Sequence, residues 1–123
     1  MRVAEQARSA LSLATFLEAH SAVKRVFYPG LPSHPQYELA CAQMSGFGGM
    51  LSFEVEGGYN AAVRLAESLQ LIQLAGSLGG VESIIQHPAS MTHGMLPASE
   101  REKAGIAPGI LRLSVGLESV DDL

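Results

Sequence analysis

Ile110-Leu111-Arg112-Leu113-Ser114-Val115-Gly116 is the stretch that decides both the fold class and the position of the candidate site. Its apolar and polar residues alternate, as in a β-strand with one face in the core. If the leucines and the valine face the core, Arg112 and Ser114 face the opposite side of the sheet. A guanidinium is most stable in water, so this mid-strand position predicts an anionic partner for Arg112.

The remainder of the chain predicts short elements of both kinds. Apolar periodicity and turn residues predict helices over residues 1–19, 37–44, 59–69 and 97–104, and strands over 23–28, 50–56, 71–74 and 81–86. A further helix is expected to begin at Ser119, and Ser33 is expected to cap the second helix. The order predicts an α+β fold, with a small, mostly antiparallel sheet and helices on one face.

The first helix is predicted to bury an apolar stripe against the sheet. Its apolar residues recur at helical spacing, with charged and polar residues elsewhere on the cylinder. The expected stripe consists of Val3, Ala7, Ala10, Leu11, Ala14 and Leu17.

Composition excludes several classes of function. The chain has 123 residues, of which 47% are hydrophobic and 16% charged, enough for one packed domain. Its net charge is −4 and its only lysines are Lys24 and Lys103, so it lacks the basic face that nucleic acid requires. We find no signal sequence and no apolar run long enough for a membrane span, and we expect a cytoplasmic protein.

Metal binding and nucleophilic catalysis are not expected. His87 and His93 are six positions apart across Pro88, which matches no usual metal-ligand spacing, and we expect structural roles for the histidines. Cys41 lies among apolar residues without a nearby cation, and we expect it to be a small buried hydrophobic residue. The sequence therefore predicts no catalytic residue and no metal ligand on this chain.

Arg112 and a glycine-rich loop are the candidate binding elements. A planar guanidinium matches the two oxygens of a carboxylate, and the alternative is a surface arginine paired with a nearby Asp or Glu. The loop around Ser77, Leu78 and Gly79 is small enough to let a ligand approach the backbone, and the alternative is an ordinary turn between strands. Together they indicate half of a site for a small carboxylate.

Five blocks in order give a specific resemblance. They are YPGLPSHP (28–35), GFGGM (46–50), SLGGVES (77–83), HPASMTH (87–93) and RLSVGLE (112–118). The chain resembles the C-terminal domain of the pyridoxal-phosphate enzymes of cysteine and methionine metabolism. That family includes cystathionine γ-synthase, cystathionine γ-lyase, homoserine sulfhydrylase and methionine γ-lyase.

The resemblance implies the fold of the C-terminal domain of fold-type I, aspartate-aminotransferase-like enzymes, preceded by a larger cofactor domain. Residues 1–22 would be a remnant of the interdomain helix, and residues 23–123 the domain that binds the substrate carboxylate. By resemblance, Arg112 holds the α-carboxylate of a small amino-acid substrate and Ser77 lines the same pocket, with Leu78 and Gly79 as possible loop contacts. Possible self-association into homo-oligomers is also implied.

Two departures from the family pattern bear on activity. Neither Lys24 nor Lys103 stands in the Ser-x-x-Lys setting of the family's cofactor lysine. Pyridoxal phosphate is thus expected in the parent enzyme but not on this chain alone, which we predict to be inactive in trans-sulfuration. Gly76 stands where many relatives have Glu, which leaves γ-replacement and γ-elimination both open. The alternative function is a stand-alone α+β interaction or ligand-sensing module derived from that domain.

Overall fold

Five strands form one mixed sheet in the computed structural model, which describes residues 1–123. In chain order the elements are α1 (Arg2–Ala19), β1 (Val23–Phe27), α2 (Tyr37–Gln43), β2 (Met50–Val55), α3 (Gly58–Ser68), β3 (Gln73–Leu74), β4 (Ile84–Gln86), α4 (Ala98–Lys103) and β5 (Ile110–Ser114). The strand order is β1-β2-β5-β4-β3, and only β3 and β4 run parallel. The predicted α+β fold with a mostly antiparallel sheet is confirmed.

Helices α1 and α3 cover one face of the sheet, which we call the helix-covered face. Leu51, Phe53 and Val55 of β2 and the alternate residues Leu111 and Leu113 of β5 are buried there. The helices contribute buried alanines to the same cluster, and the short side chains let helix and sheet approach closely. The alternation read from the sequence thus assigned the two faces of these strands correctly.

Helix α1 packs partly as expected. Ala10 and Ala14 of the expected stripe are buried, whereas Val3 and Leu11 are exposed and Gln6 is buried instead. A close approach between α1 and the start of β2 accounts for the burial of Gln6. A Cβ added at Gly49 would lie 2.8 Å from the Gln6 Cβ, so the first turns of the helix meet the sheet at Gln6 and not at Val3.

The expected cap of α2 and the expected final helix are also wrong. Ser33 does not cap α2, because that helix begins at Tyr37 and the Ser33 hydroxyl donates to Glu18 instead. Residues after Ser119 form a turn, in which the Asp122 amide donates to the Ser119 carbonyl at 3.0 Å. None of the four helices has the length and apolar character needed to cross a bilayer.

Candidate functional site

The face opposite the helices carries a row of four side chains from four strands. Strand pairing places Phe27 beside Ser52, Ser52 beside Arg112, and Arg112 beside Gln86. We call this side of the sheet the arginine face. Directly opposed residues on adjacent strands lie close enough for their side chains to interact, so the register places two polar groups next to the Arg112 guanidinium.

The Arg112 side chain is partly buried and has one partner within the chain. Its Nη2 donates a hydrogen bond to the carbonyl oxygen of Ser77 at 3.0 Å. None of the three ion pairs of the molecule includes Arg112. The guanidinium is therefore oriented by a neutral acceptor, and most of its five N–H groups have no acceptor from the protein.

A recess of about 270 Å³ adjoins this guanidinium, and we call it the Arg112 recess. Its lining comprises Phe27, Ser52, Pro88, His93, Gly105, Ile106, Ile110 and Arg112. Arg112 is the only lysine or arginine among them, and no aspartate or glutamate is present. This charge distribution favours a small anion with an apolar part, because the cation attracts the anion and no carboxylate competes with it.

Gln86 is a site neighbour that the sequence did not reveal. It is only 1% exposed, and its Nε2 donates to the Thr92 hydroxyl at 2.8 Å. The Thr92 hydroxyl is in turn hydrogen-bonded to Nδ1 of His93 at 2.8 Å. The Gln86 Oε1 is buried without a hydrogen-bond partner. The register between β4 and β5 places these hydrogen-bonded groups beside Arg112. The register cannot be read from the local sequence.

The predicted loop residues differ in how they relate to Arg112. Ser77 meets Arg112 through its backbone carbonyl, while its side chain is exposed and forms no hydrogen bond within the chain. Leu78 is 56% exposed and lines a separate recess together with Gly79 and Val3. The Gly79 amide donates to the Ser114 hydroxyl at 2.8 Å. The structure thus brings Ser77 to Arg112 and places Leu78 and Gly79 outside the Arg112 recess.

His87 and Cys41 do not line the Arg112 recess. His87 is buried, with its ring nitrogens hydrogen-bonded to the Ser90 hydroxyl and the Pro108 carbonyl, both at 2.8 Å. Cys41 is exposed, contrary to expectation, because the short helix α2 buries only Ala40. No group of three His, Cys, Asp or Glu side chains is arranged to hold a metal ion.

The two lysines do not fit a cofactor attachment site. Lys24 is about half exposed and lies 3.3 Å from the buried carboxylate of Glu54. Lys103 is exposed at the end of α4. Neither lines the Arg112 recess. Neither lysine is therefore placed to supply an amine at the Arg112 recess.

Comparison with known proteins assigns this arrangement to a family. The family model described as Cys/Met metabolism PLP-dependent enzyme matches residues 1–123. The chain is 52% identical over its full length to a cystathionine beta-lyase of Coxiella burnetii and 50% identical to an L-methionine gamma-lyase of Fusobacterium nucleatum. It covers 32% and 31% of those proteins, so it spans about a third of the length of its curated relatives.

Solved structures agree with the sequence comparisons. Cystathionine gamma synthase from Xanthomonas oryzae pv. oryzae, in complex with aminoacrylate and cysteine, matches with a TM-score of 0.91 and 50% identity. That match covers 98% of this chain and 31% of the synthase chain. The complex of the same enzyme with cystathionine matches with a TM-score of 0.92 and 48% identity, over 99% of this chain and 32% of the other.

Proposed function

Because this chain belongs to the Cys/Met metabolism PLP-dependent enzyme family, we propose that it forms the substrate-carboxylate-binding part of a trans-sulfuration enzyme. The substrate class is a sulfur amino acid or an activated homoserine. One observation carries the proposal: the Arg112 guanidinium borders a recess and has a single neutral partner, the carbonyl of Ser77. A cation held in this way is prepared to bind a carboxylate.

Carboxylate binding at Arg112 fixes the orientation of the substrate. Two parallel N–H donors of the guanidinium match two carboxylate oxygens, which sets the plane of the carboxylate as well as its position. The Ser52 hydroxyl lines the same recess and forms no hydrogen bond within the chain, so it is available as a further donor. Orientation of the carboxylate determines which bond at the α-carbon is aligned for reaction.

The reaction itself requires groups that these residues do not supply. Pyridoxal phosphate, bound elsewhere in such an enzyme, provides the electron sink, and the protein supplies binding and orientation. In this proposal residues 1–22 derive from the helix between the domains, and residues 23–123 form the carboxylate-binding domain. The partner of this chain is then a cofactor-binding domain, and the chain alone is inactive.

A hybrid enzyme tests the proposal. This chain replaces the matching segment of the Coxiella burnetii cystathionine beta-lyase, and 2-oxo acid release from L-cystathionine is measured. We expect an active hybrid in which Arg112→Gln lowers kcat/KM by about a hundredfold, mainly through KM, because charge-assisted hydrogen bonds to the carboxylate are lost. Arg112→Lys should give an intermediate loss, since an ammonium keeps the charge without the fork of donors.

Arg64→Gln is the matched control for these variants. Arg64 is exposed on α3 and belongs to no ion pair of the chain, so its loss should leave KM within about twofold of the unsubstituted hybrid. An unchanged KM in the Arg112→Gln hybrid would contradict the proposal, because substrate binding would then not depend on this guanidinium.

A second candidate function is a stand-alone interaction or ligand-sensing module. Two pairs of exposed apolar residues at the loop favour it: Leu78 lines a recess together with Val3, and Val81 is hydrogen-bonded through its backbone to Leu117. Single exposed apolar residues are common, whereas a contiguous group is typical of a contact surface. The hybrid separates the two functions: a module that has lost its role in the reaction would give no activity, and Arg112→Gln would have nothing to change.

A further inference from the structure

The loop that orients Arg112 has little packing of its own. Five residues of the loop are exposed: Ser77, Leu78, Gly79, Val81 and Glu82. The conformation of such a segment depends on its hydrogen bonds, because few apolar contacts contribute to its stability. The loop reaches Arg112 through the Ser77 carbonyl, so whatever fixes the loop also fixes the guanidinium.

Three hydrogen bonds attach the middle of the loop. The Gln6 Nε2 donates to the Gly80 carbonyl at 2.6 Å, and the Gly79 amide donates to the Ser114 hydroxyl at 2.8 Å. The Leu117 amide donates to the Val81 carbonyl at 2.7 Å. These contacts hold the loop against α1, against the last residue of β5 and against the chain that follows β5.

The end of the loop is attached by a carboxylate. One oxygen of Glu118 accepts from the Ser83 amide at 2.6 Å, and the other accepts from the Ser83 hydroxyl at 2.8 Å. The Ser83 hydroxyl also accepts from the Gly116 amide at 2.9 Å, and Ser83 is fully buried. A Cβ at Gly116 would collide with the Val81 carbonyl and the Glu118 carboxylate, so the segment is closely packed there.

We propose that Glu118 is a positioning residue of the carboxylate-binding site, which holds Ser83 and the 77–83 loop so that the Ser77 carbonyl orients Arg112. The two hydrogen bonds from Ser83 to the Glu118 carboxylate are called the clamp. The inference rests on the proposed function, because it assigns the clamp a role in carboxylate binding. A preoriented guanidinium loses less side-chain freedom when it binds a ligand, so the clamp increases affinity without touching the ligand.

The test uses the 123-residue chain and NMR. L-methionine is the probe, and L-methioninamide, which lacks the carboxylate, is its control. Binding is measured from backbone amide shifts, and order of the guanidinium from relaxation of the Arg112 Nε–H group without ligand. We expect Glu118→Gln to weaken L-methionine binding by about tenfold and to increase the mobility of Arg112 Nε. Ser83→Ala should do the same, and the double variant should be no weaker than the single ones.

Glu82→Gln is the matched control, because Glu82 lies in the same loop and is exposed, and its carboxylate forms no hydrogen bond within the chain. It removes the same charge and should leave both measurements unchanged. All measurements are made at a temperature where each variant is folded, as judged by its amide spectrum.

Two results would overturn the inference. The first is a Glu118→Gln chain with a lower thermal midpoint but unchanged affinity and unchanged Arg112 mobility, which would make the clamp purely structural. The second is an equal effect of Glu82→Gln, which would reduce the role of Glu118 to its charge. If the unsubstituted chain bound the amide as well as L-methionine, the proposed function would fail, and the Arg112 mobility would still decide whether Glu118 orders the guanidinium.

Discussion

The helix-covered face and the arginine face belong to the same strands, but apolar packing stabilises the first face and hydrogen bonds stabilise the side chains of the second. On the first face, Leu111 and Leu113 are fully enclosed by apolar neighbours under α1 and α3. On the second, the charged and polar side chains of Glu54, Gln86 and Arg112 are buried or partly buried and form hydrogen bonds. Apolar packing therefore stabilises the first face, whereas the second leaves the Arg112 guanidinium without an ion pair.

Two arginines on the arginine face differ in their partners. Arg25 lies 2.7 Å from the buried carboxylate of Glu54, which also pairs with Lys24. Arg112 has only the Ser77 carbonyl. Arg25 forms a structural ion pair with a carboxylate of its own chain. Arg112 has no such carboxylate, and in the proposed function it binds the carboxylate of a ligand. The difference between the two faces and between the two arginines can be tested by substitution.

The largest expected effect is on the helix-covered face. Leu111→Ala should lower the free energy of unfolding by about 4 kcal/mol, because the side chain is completely buried and its removal leaves a cavity. Urea denaturation followed by circular dichroism measures the change. Leu117→Ala removes an exposed leucine and should cost less than about 1 kcal/mol. Equal losses in the two variants would break the distinction between buried and exposed apolar positions.

The clamp at Glu118 should show a pH-dependent effect. Burial raises the pKa of this carboxyl, but hydrogen bonds from the Ser83 amide, its own amide and the Ser83 hydroxyl outweigh burial, and the net pKa is lowered. A lowered pKa stabilises the fold at pH values above the unfolded-state pKa, and this contribution is lost as the pH falls through the folded-state pKa.

Glu118→Gln removes charge-assisted hydrogen bonds to Ser83 and should cost about 1.5 kcal/mol at neutral pH. The difference from the unsubstituted chain should shrink on acidification. Thermal unfolding at a series of pH values measures both. A stability difference that is constant across the acidic range would contradict the assigned role of the carboxylate.

A smaller effect is expected at the paired arginine. Glu54→Gln should cost about 1 kcal/mol, because it weakens the interactions with Arg25 and Lys24, whose side chains are about half exposed and can be hydrated. Urea denaturation measures the loss. Glu56→Gln is the control, since Glu56 is exposed just beyond the same strand and forms no ion pair. A larger loss for Glu56→Gln would show that the Glu54 pairs are not the cause.

The smallest effect on stability is expected at Arg112. Arg112→Met should change the free energy of unfolding by less than about 1 kcal/mol, because one hydrogen bond is lost and the aliphatic part of the side chain is kept. The same variant should abolish measurable L-methionine binding in the NMR titration. A loss as large as that of Leu111→Ala would show that Arg112 stabilises the fold, and it would contradict the distinction drawn between the two faces.

Sequence reasoning was most reliable where the signal is local. The alternation in β2 and β5 assigned Leu51 and Leu113 to the core and Arg112 to the opposite face, as the structure has them. In α1 it was right for Ala10 and Ala14 and wrong for Val3 and Leu11, which were selected on hydrophobicity alone. The buried side of a helix on a sheet depends on how closely the two approach, and the approach at Gly49 buries Gln6.

Periodicity and motif order are properties of the chain, so the sequence alone was enough to predict the types of the nine observed elements, the two faces of the central strands and the family of the five blocks. Tertiary structure decided that Ser52 and Gln86 flank Arg112, that Ser77 contacts it through a carbonyl, and that Glu118 closes on Ser83. These contacts join residues up to about sixty positions apart. They depend on strand register and loop closure, which short-range patterns do not encode.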